Sequence, residues 1–209
     1  MVPKLLHQII GPGTTDIIKK CLSSWRILED RGFKIKYWDD VDLEIFITKF
    51  FPFALQPFLS ARNHAEASDI ARYLIIFKFG GVYMDWDVQL LNVRKFIRLM
   101  NDNPYGFLLR DPPNRTVASE AFSAPKGEEY LEYIVKEIST IFKSGMRSMV
   151  KTPQYSGPYR MRDALENCET KQSIIPVKQV FAYDYSEIRD MPKREITQPL
   201  IHYWVHSWL

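Results

Sequence analysis

Apolar residues recur along this chain at two spacings, and the alternation of the two predicts an α/β domain. Leu5, Leu6, Ile9 and Ile10 form a short apolar run with β-branched members, read as a buried strand that Gly11-Pro12-Gly13 breaks. Thr14 or Thr15 can cap the next segment, where Ile18, Leu22, Trp25 and Leu28 lie at helical spacing and Gly32 marks the end. Phe33, Ile35 and Tyr37 then alternate with Lys34, Lys36 and Trp38, the period of a strand. Strand, helix, strand is the opening of a nucleotide-binding α/β half. Asp39-Asp40 starts a helical stretch running to Phe50, and Phe50-Phe51-Pro52-Phe53 reads as a break with exposed aromatics.

The stretch from Asp69 to Asp87 organises the rest. Ile70, Leu74 and Phe77 make one helical face, and Asn63 with Glu66 has the spacing of a capping box just upstream. Gly80-Gly81 ends the helix, because glycine accepts the left-handed backbone a helix C-terminus needs. Val82, Tyr83 and Met84 are too few for a long strand, which puts Asp85 at a strand end, where open α/β sheets place ligands. Along a strand Asp85 and Asp87 would face one side and Trp86 the other. Downstream, Val88–Leu91 continues as a strand, Val93–Met100 is helical, and Tyr105–Leu109 is a strand. Asp111–Arg115 is a proline-rich loop with the composition of a mobile one. A late helix runs from about Glu128 to Phe142, with Tyr130, Ile134, Ile138 and Ile141 as its core stripe. Ser156-Gly157-Pro158 is a turn.

Composition narrows the class. A chain of 209 residues fits one large domain and can bury about 70% of its unfolded surface. A net charge of +3 gives no case for nucleic-acid binding. Cys21 and Cys168 show no metal spacing and are expected as free thiols in a cytosolic setting. No signal peptide precedes Pro3-Lys4, and no apolar run approaches the roughly 20 residues needed to span a bilayer. The expectation is a soluble cytoplasmic protein, or one domain of a longer chain, with a monomer assumed. Neither Gly-x-Gly-x-x-Gly nor Gly-Lys-Ser/Thr is present, so a diphosphate would have to be held by a metal and side chains. Two hard oxygen donors such as Asp85 and Asp87 suit Mn²⁺ or Mg²⁺, although a bare Asp-x-Asp is more often a solvated acidic turn.

Ser68-Asp69, Arg72, Gly80-Gly81, Tyr83, Asp85 and Asp87 together resemble the DXD-motif glycosyltransferases of the sugar-binding-region family. That family includes the yeast mannosyltransferases that initiate the outer chain and, more distantly, the clostridial glucosylating toxins. Pro3–Ile9 is similar to the family's opening strand. Ile201-His202-Tyr203-Trp204 with Ser207-Trp208 is similar to its closing His-x-Trp…Ser-Trp signature. The short form also resembles glycosyltransferases of large algal viruses, which would make the location host cytoplasm.

The resemblance implies a GT-A-like fold, a Rossmann-like mixed sheet flanked by helices. The nucleotide-binding part would span about residues 1–92 and the acceptor-side part about 93–209, with a small helical insertion at about 40–62 shaping the acceptor side. It implies metal-dependent, retaining transfer of a hexose or deoxyhexose from a nucleotide diphosphate sugar, a UDP-sugar foremost, to a glycan or glycoprotein. By position Asp87 is the metal ligand, Asp85 is shared between nucleotide and metal, and His202 completes the site. Asp69 and Arg72 would hold the donor sugar, against the plainer reading of a surface ion pair. Backbone around Gln8 and Ile9 would contact the base, although the family usually has tryptophan where Ile10 stands. Tyr83, Trp86 and Gly157 would line the donor pocket, and Ser207 and Trp208 would close over the diphosphate. His64 reads as ordinary. No carboxylate stands out as a covalent nucleophile, which favours front-side displacement with the leaving diphosphate taking the acceptor's proton. Two rivals remain. One is a phosphohydrolase of the haloacid dehalogenase type, although Gln89 stands where its motif needs Thr or Val. The other is a non-catalytic sugar-nucleotide-binding module.

Overall fold

The computed structural model describes residues 1–205, so Ser207 and Trp208 lie outside the described residues. The opening unit is strand β1 (Leu5–Ile9), helix α1 (Asp16–Ser24) and strand β2 (Lys34–Trp38), with β1 and β2 parallel. Thr15 is the cap, its hydroxyl accepting the Ile18 N–H at 3.4 Å. The regular helix stops at Ser24. A 3₁₀ segment, Arg26–Arg31, carries Leu28 onward to Gly32, which turns at φ 80°. The buried Trp25 donates its indole N–H to the Val88 carbonyl at 2.8 Å and so pins this junction to the sheet side of the site.

Helices α2 (Asp40–Phe50) and α3 (Leu55–Leu59) occupy the stretch expected to be helical. The aromatics of its break are less exposed than expected: Phe51 is buried and packs against Phe46, Phe53 and Phe77. Helix α4 (His64–Phe79) is buried all round from Ile70 to Ile76, so the three-residue stripe understates its apolar surface. The capping box is half formed. Asn63 accepts the Glu66 N–H at 2.9 Å, but the Glu66 carboxylate turns away to Arg62 and Arg147.

Strand β3 (Gly81–Met84) follows, then β4 (Val88–Leu90), helix α5 (Val93–Asp102), β5 (Phe107–Asp111) and β6 (Thr116–Ala124). Residues 111–115, expected as a mobile loop, are the tight connection of an antiparallel β5–β6 pair. Helices α6 (Glu129–Lys143), α7 (Thr152–Tyr155) and α8 (Pro158–Leu165) lead to β7 (Ser173–Pro176) and β8 (Leu200–His202). The main sheet has the order β2-β1-β3-β6-β5-β7, parallel on the β2-β1-β3 side and antiparallel where β6 meets β3 and β5. One apolar layer, with Tyr73, Phe122 and Ile134, joins α2, α4 and α6 to one face. A second, with Leu6, Val82 and Phe96, joins Trp25 and Leu28, which follow α1, and helix α5 to the other.

Gly81 is required by close approach: at φ 110° an added Cβ would sit 2.3 Å from the Leu5 carbonyl oxygen. The bend is held from beneath by His7. Its Nε2–H donates to the Gly80 carbonyl at 3.1 Å, and its Nδ1 accepts the Trp38 indole N–H at 3.1 Å. The second bond needs a neutral ring, and burial lowers the His7 pKa to about 4. An unfolded imidazole titrates near about 6.5. The unfolded chain therefore takes up a proton that the fold refuses. His7's contribution is complete above about pH 6.5 and is lost as the pH falls through about 4, on the order of 3 kcal/mol in all. Urea unfolding from pH 7.5 to 4 should show this loss in the wild type, and His7→Asn should flatten it.

Candidate functional site

Asp85, Trp86 and Asp87 do not continue β3. The Asp85 N–H donates to the Glu120 carbonyl at 2.9 Å, and the Val88 N–H closes a turn on the Asp85 carbonyl at 3.1 Å. The two carboxylates therefore meet across a turn and not along one strand face. After the turn, β4 pairs with β8 and sets Val88 opposite His202. Backbone pairing thus delivers the C-terminal histidine to the aspartates: His202 Nε2 is 3.1 Å from Asp87 Oδ1. One donor atom each from Asp85, Asp87 and His202 lie within 4.8 Å of one another. Asp87 Oδ2 also accepts the Val205 N–H at 2.8 Å, which ties the chain's last described residue to the same carboxylate.

Arg72 stands beneath this group. Its Nη1 donates to the Ser119 carbonyl at 2.9 Å and lies 3.3 Å from Asp85 Oδ1, while its Nε is 3.5 Å from Asp69 Oδ1. The Tyr83 ring covers the guanidinium at 4.7 Å, and the Tyr83 hydroxyl donates to Asp85 Oδ1 at 2.7 Å. Asp69 and Arg72 are both buried, so the surface-pair reading of this helical couple does not hold. Asp69 accepts the Ser156 hydroxyl at 2.9 Å, and its other oxygen has no hydrogen-bond partner among the described residues.

Burial and charge set the protonation pattern. Burial raises Asp69 to about 7 against the pull of Arg72 and Ser156. Burial also raises Asp85, with the Asp87 charge adding and Arg72 opposing. For Asp87 burial is outweighed by the His202 imidazole and the Val205 N–H, and the carboxyl stays below its usual range. For His202 burial is likewise outweighed by Asp87, and the ring is raised. Asp87 and His202 thus each favour the charged form of the other.

A cavity of about 540 Å³ opens over this group. Ile9, Arg72, Tyr83, Asp85, Trp86, Asp87 and His202 of the expected site residues line it. Three others stand behind it. Gln8 donates its amide to the Asp85 carbonyl at 3.4 Å, Asp69 lies under Arg72, and Gly157 packs where a Cβ would be 3.0 Å from Pro153 and 3.3 Å from Asp69. Sequence reasoning missed Ser119 and Glu120, because β6 is built of small residues and carries no strong pattern. His64, read as ordinary, also faces the cavity. Trp204 lies in the closing motif and stacks on His202 with ring centroids 4.1 Å apart, at a left-handed φ of 46° that is rare for a bulky residue.

Two carboxylates and an imidazole around one point fit a divalent cation. His202 Nδ1 is buried and has no hydrogen-bond partner among the described residues.

Comparisons with known proteins agree with this geometry. Residues 16–104 match the family described as "Glycosyltransferase sugar-binding region containing DXD motif". The chain is similar to inositol phosphoceramide mannosyltransferase 3 of Schizosaccharomyces pombe, 32% identical over 89 residues, covering 42% of this chain and 24% of that protein. It is also similar to the uncharacterized glycosyltransferase L373 of Acanthamoeba polyphaga mimivirus, 31% identical over 96 residues, covering 42% of this chain and 36% of that one. The matches thus span about a quarter to a third of these curated relatives. Among solved structures, a glycosyltransferase involved in glycosylation of the major capsid of PBCV-1 superposes with a TM-score of 0.56 at 14% identity, covering 99% of this chain and 96% of that one. The PaToxG glycosyltransferase gives a TM-score of 0.57 at 15% identity, covering 79% and 68%. No helix among the described residues is long and apolar enough to cross a membrane. Over residues 16–104 the chain thus resembles the DXD-motif glycosyltransferases, and its mixed sheet flanked by helices is the GT-A-like fold.

Proposed function

We propose that this chain is a metal-dependent, retaining glycosyltransferase that moves a hexose or deoxyhexose from a nucleotide diphosphate sugar, a UDP-sugar foremost, to a glycan or glycoprotein acceptor. The observation that carries this reading is the convergence of Asp85, Asp87 and His202 on one point of a cavity whose wall includes Arg72. Asp87 and His202 would hold Mn²⁺ or Mg²⁺, and Asp85 would share the cation with the nucleotide. The bound cation would draw charge from the departing diphosphate, an effect worth several kcal/mol in the transition state. Arg72 is fixed by the Ser119 carbonyl and by Asp69, so its donors are oriented before substrate arrives. Tyr83 and Gln8 hold Asp85 by its carboxylate and its carbonyl. Front-side displacement remains the favoured course, because it asks the protein for orientation and not for a nucleophile.

Nucleotide release from UDP-hexoses and from GDP-mannose, with Mn²⁺ or with chelator, tests the proposal. GDP-mannose is included because of the fission-yeast relative's name. Release that needs metal, with retained anomeric configuration by NMR, is expected. No glycosyl adduct should be trapped on Glu120, the cavity's remaining carboxylate. Nucleotide binding without turnover by any donor would instead favour the binding module, and phosphate release from phosphomonoesters would favour the hydrolase.

A further inference from the structure

One stretch of the chain carries charge of a single sign. From Ile138 to Arg162 it holds Lys143, Arg147, Lys151, Arg160 and Arg162 and no acidic residue, although the whole chain has a net charge of only +3. Just past the end of α6, Gly145 turns the backbone at a left-handed φ of 74° into a 3₁₀ turn, Met146–Met149. Such a helix has three residues per turn, so Met146 and Met149 lie on the same side of it. Both face solvent, Met146 at 51% and Met149 at 80% exposure, and among the described residues only Met1 exposes more of a large apolar side chain.

The turn is anchored from its other side. Arg147 points inward and donates its Nε to Glu66 at 2.8 Å, and the Val150 carbonyl accepts Arg62 Nη1 at 2.8 Å. With Arg147 held inward, the methionines are held outward. Lys143 and Lys151 flank them, exposed and without an ion-pair partner among the described residues. Apolar tips that can sink below lipid headgroups, framed by cations at headgroup level, make a surface complementary to an anionic bilayer. A soluble acidic ligand would engage the lysines and leave the methionines in water. Helix α2 supplies the contrast: its exposed Val41 and Ile45 stand in sequence among Asp40, Asp42 and Glu44, the wrong sign for such a surface.

We propose that the Met146–Met149 turn, with Lys143 and Lys151, docks this chain on an anionic lipid bilayer. The turn is tied to the cavity wall, because the Asn63 amide, which lines the cavity, lies 3.5 Å from the Thr152 hydroxyl just beyond it.

Sedimentation of the full chain with vesicles of phosphatidylcholine, and with vesicles of phosphatidylcholine and phosphatidylserine in equal parts, tests the proposal. Neither nucleotide nor metal is present, so the outcome is separate from that of the transfer reaction. The wild type should bind the anionic vesicles at least about tenfold more tightly, and added salt should weaken it. Lys143→Gln and Lys151→Gln should each cost about fivefold, and Met146→Ser with Met149→Ser about tenfold or more. Val41→Ser with Ile45→Ser, which removes two exposed apolar side chains from α2, should change nothing. All these side chains are exposed, and circular dichroism checks that each variant folds. Equal binding of the wild type to the two kinds of vesicle, or no binding to either, would overturn the proposal. A methionine variant that keeps wild-type affinity would overturn it too, and would assign the lysines to a soluble acidic partner. So would a loss in the α2 variant as large as that in the methionine variant.

Discussion

Asp87→Asn should lower sugar transfer by on the order of a thousandfold and abolish its response to Mn²⁺. The estimate follows from the several kcal/mol that a cation on the leaving group supplies, at about 1.4 kcal/mol per factor of ten. Asparagine keeps the size of the side chain. Its amide oxygen can still accept the Val205 N–H, and its amide nitrogen can face a neutral His202, so the fold should survive. What disappears is the negative charge of Asp87, which raises the His202 pKa and would hold the cation. Steady-state rates against Mn²⁺ concentration check this. A variant that keeps wild-type turnover and metal dependence would place the cation elsewhere.

Glu66→Ala should be the most destabilising single change at the rim of the site, by about 3 kcal/mol. The Glu66 side chain is fully buried. It accepts Arg62 Nε at 2.8 Å and Arg147 Nε at 2.8 Å, and the Thr152 hydroxyl at 3.4 Å. Removing one partner from a buried ionic group leaves uncompensated charge, a cost of about 3–5 kcal/mol. The Arg62 side chain is about a third exposed and can regain water, which brings the expectation to the lower end. Arg62 also donates to the Val150 carbonyl at 2.8 Å, so the cluster binds the segment after α6 to the start of α4. Asn63, His64 and Ala65, which line the cavity, lie in that start. Urea denaturation should show the loss at an unchanged slope, and Arg147→Ala should reproduce part of it. A shift below 1 kcal/mol would mean that the arginines find other partners.

The parts of this protein legible in its sequence were those with a periodic signal or a strong local stop. The opening β1-α1-β2 unit, α4 with its glycine ending and α6 all announce themselves by spacing. Strand β6 did not, although it joins the two halves of the sheet and its Ser119 and Glu120 carbonyls position Arg72 and Asp85. Its Ala118, Ser119, Ala121 and Ser123 are small because helices and strands crowd it, and small residues leave no periodic trace. The aspartates were legible as chemistry but not as geometry, since a turn and a strand end look alike over three residues. His202 could be joined to them only through resemblance, because no local rule links residues whose pairing spans the chain from β4 to β8. Asp69 and Arg72 carried the spacing of a surface pair, and only the burial of α4 on all sides shows otherwise.

Thermal unfolding of the wild type with UDP, with Mn²⁺ and with both tests the central claim most directly. A ligand at about 100 times its dissociation constant adds roughly 2.7 kcal/mol to the folded state. The account predicts a stabilisation of this size with UDP and Mn²⁺ together, clearly larger than the sum of the two alone, because Asp85, Asp87 and His202 would hold a cation whose charge favours the diphosphate. An equal stabilisation by UDP without metal, or none with both, would contradict a metal-dependent donor site at Asp85, Asp87 and His202.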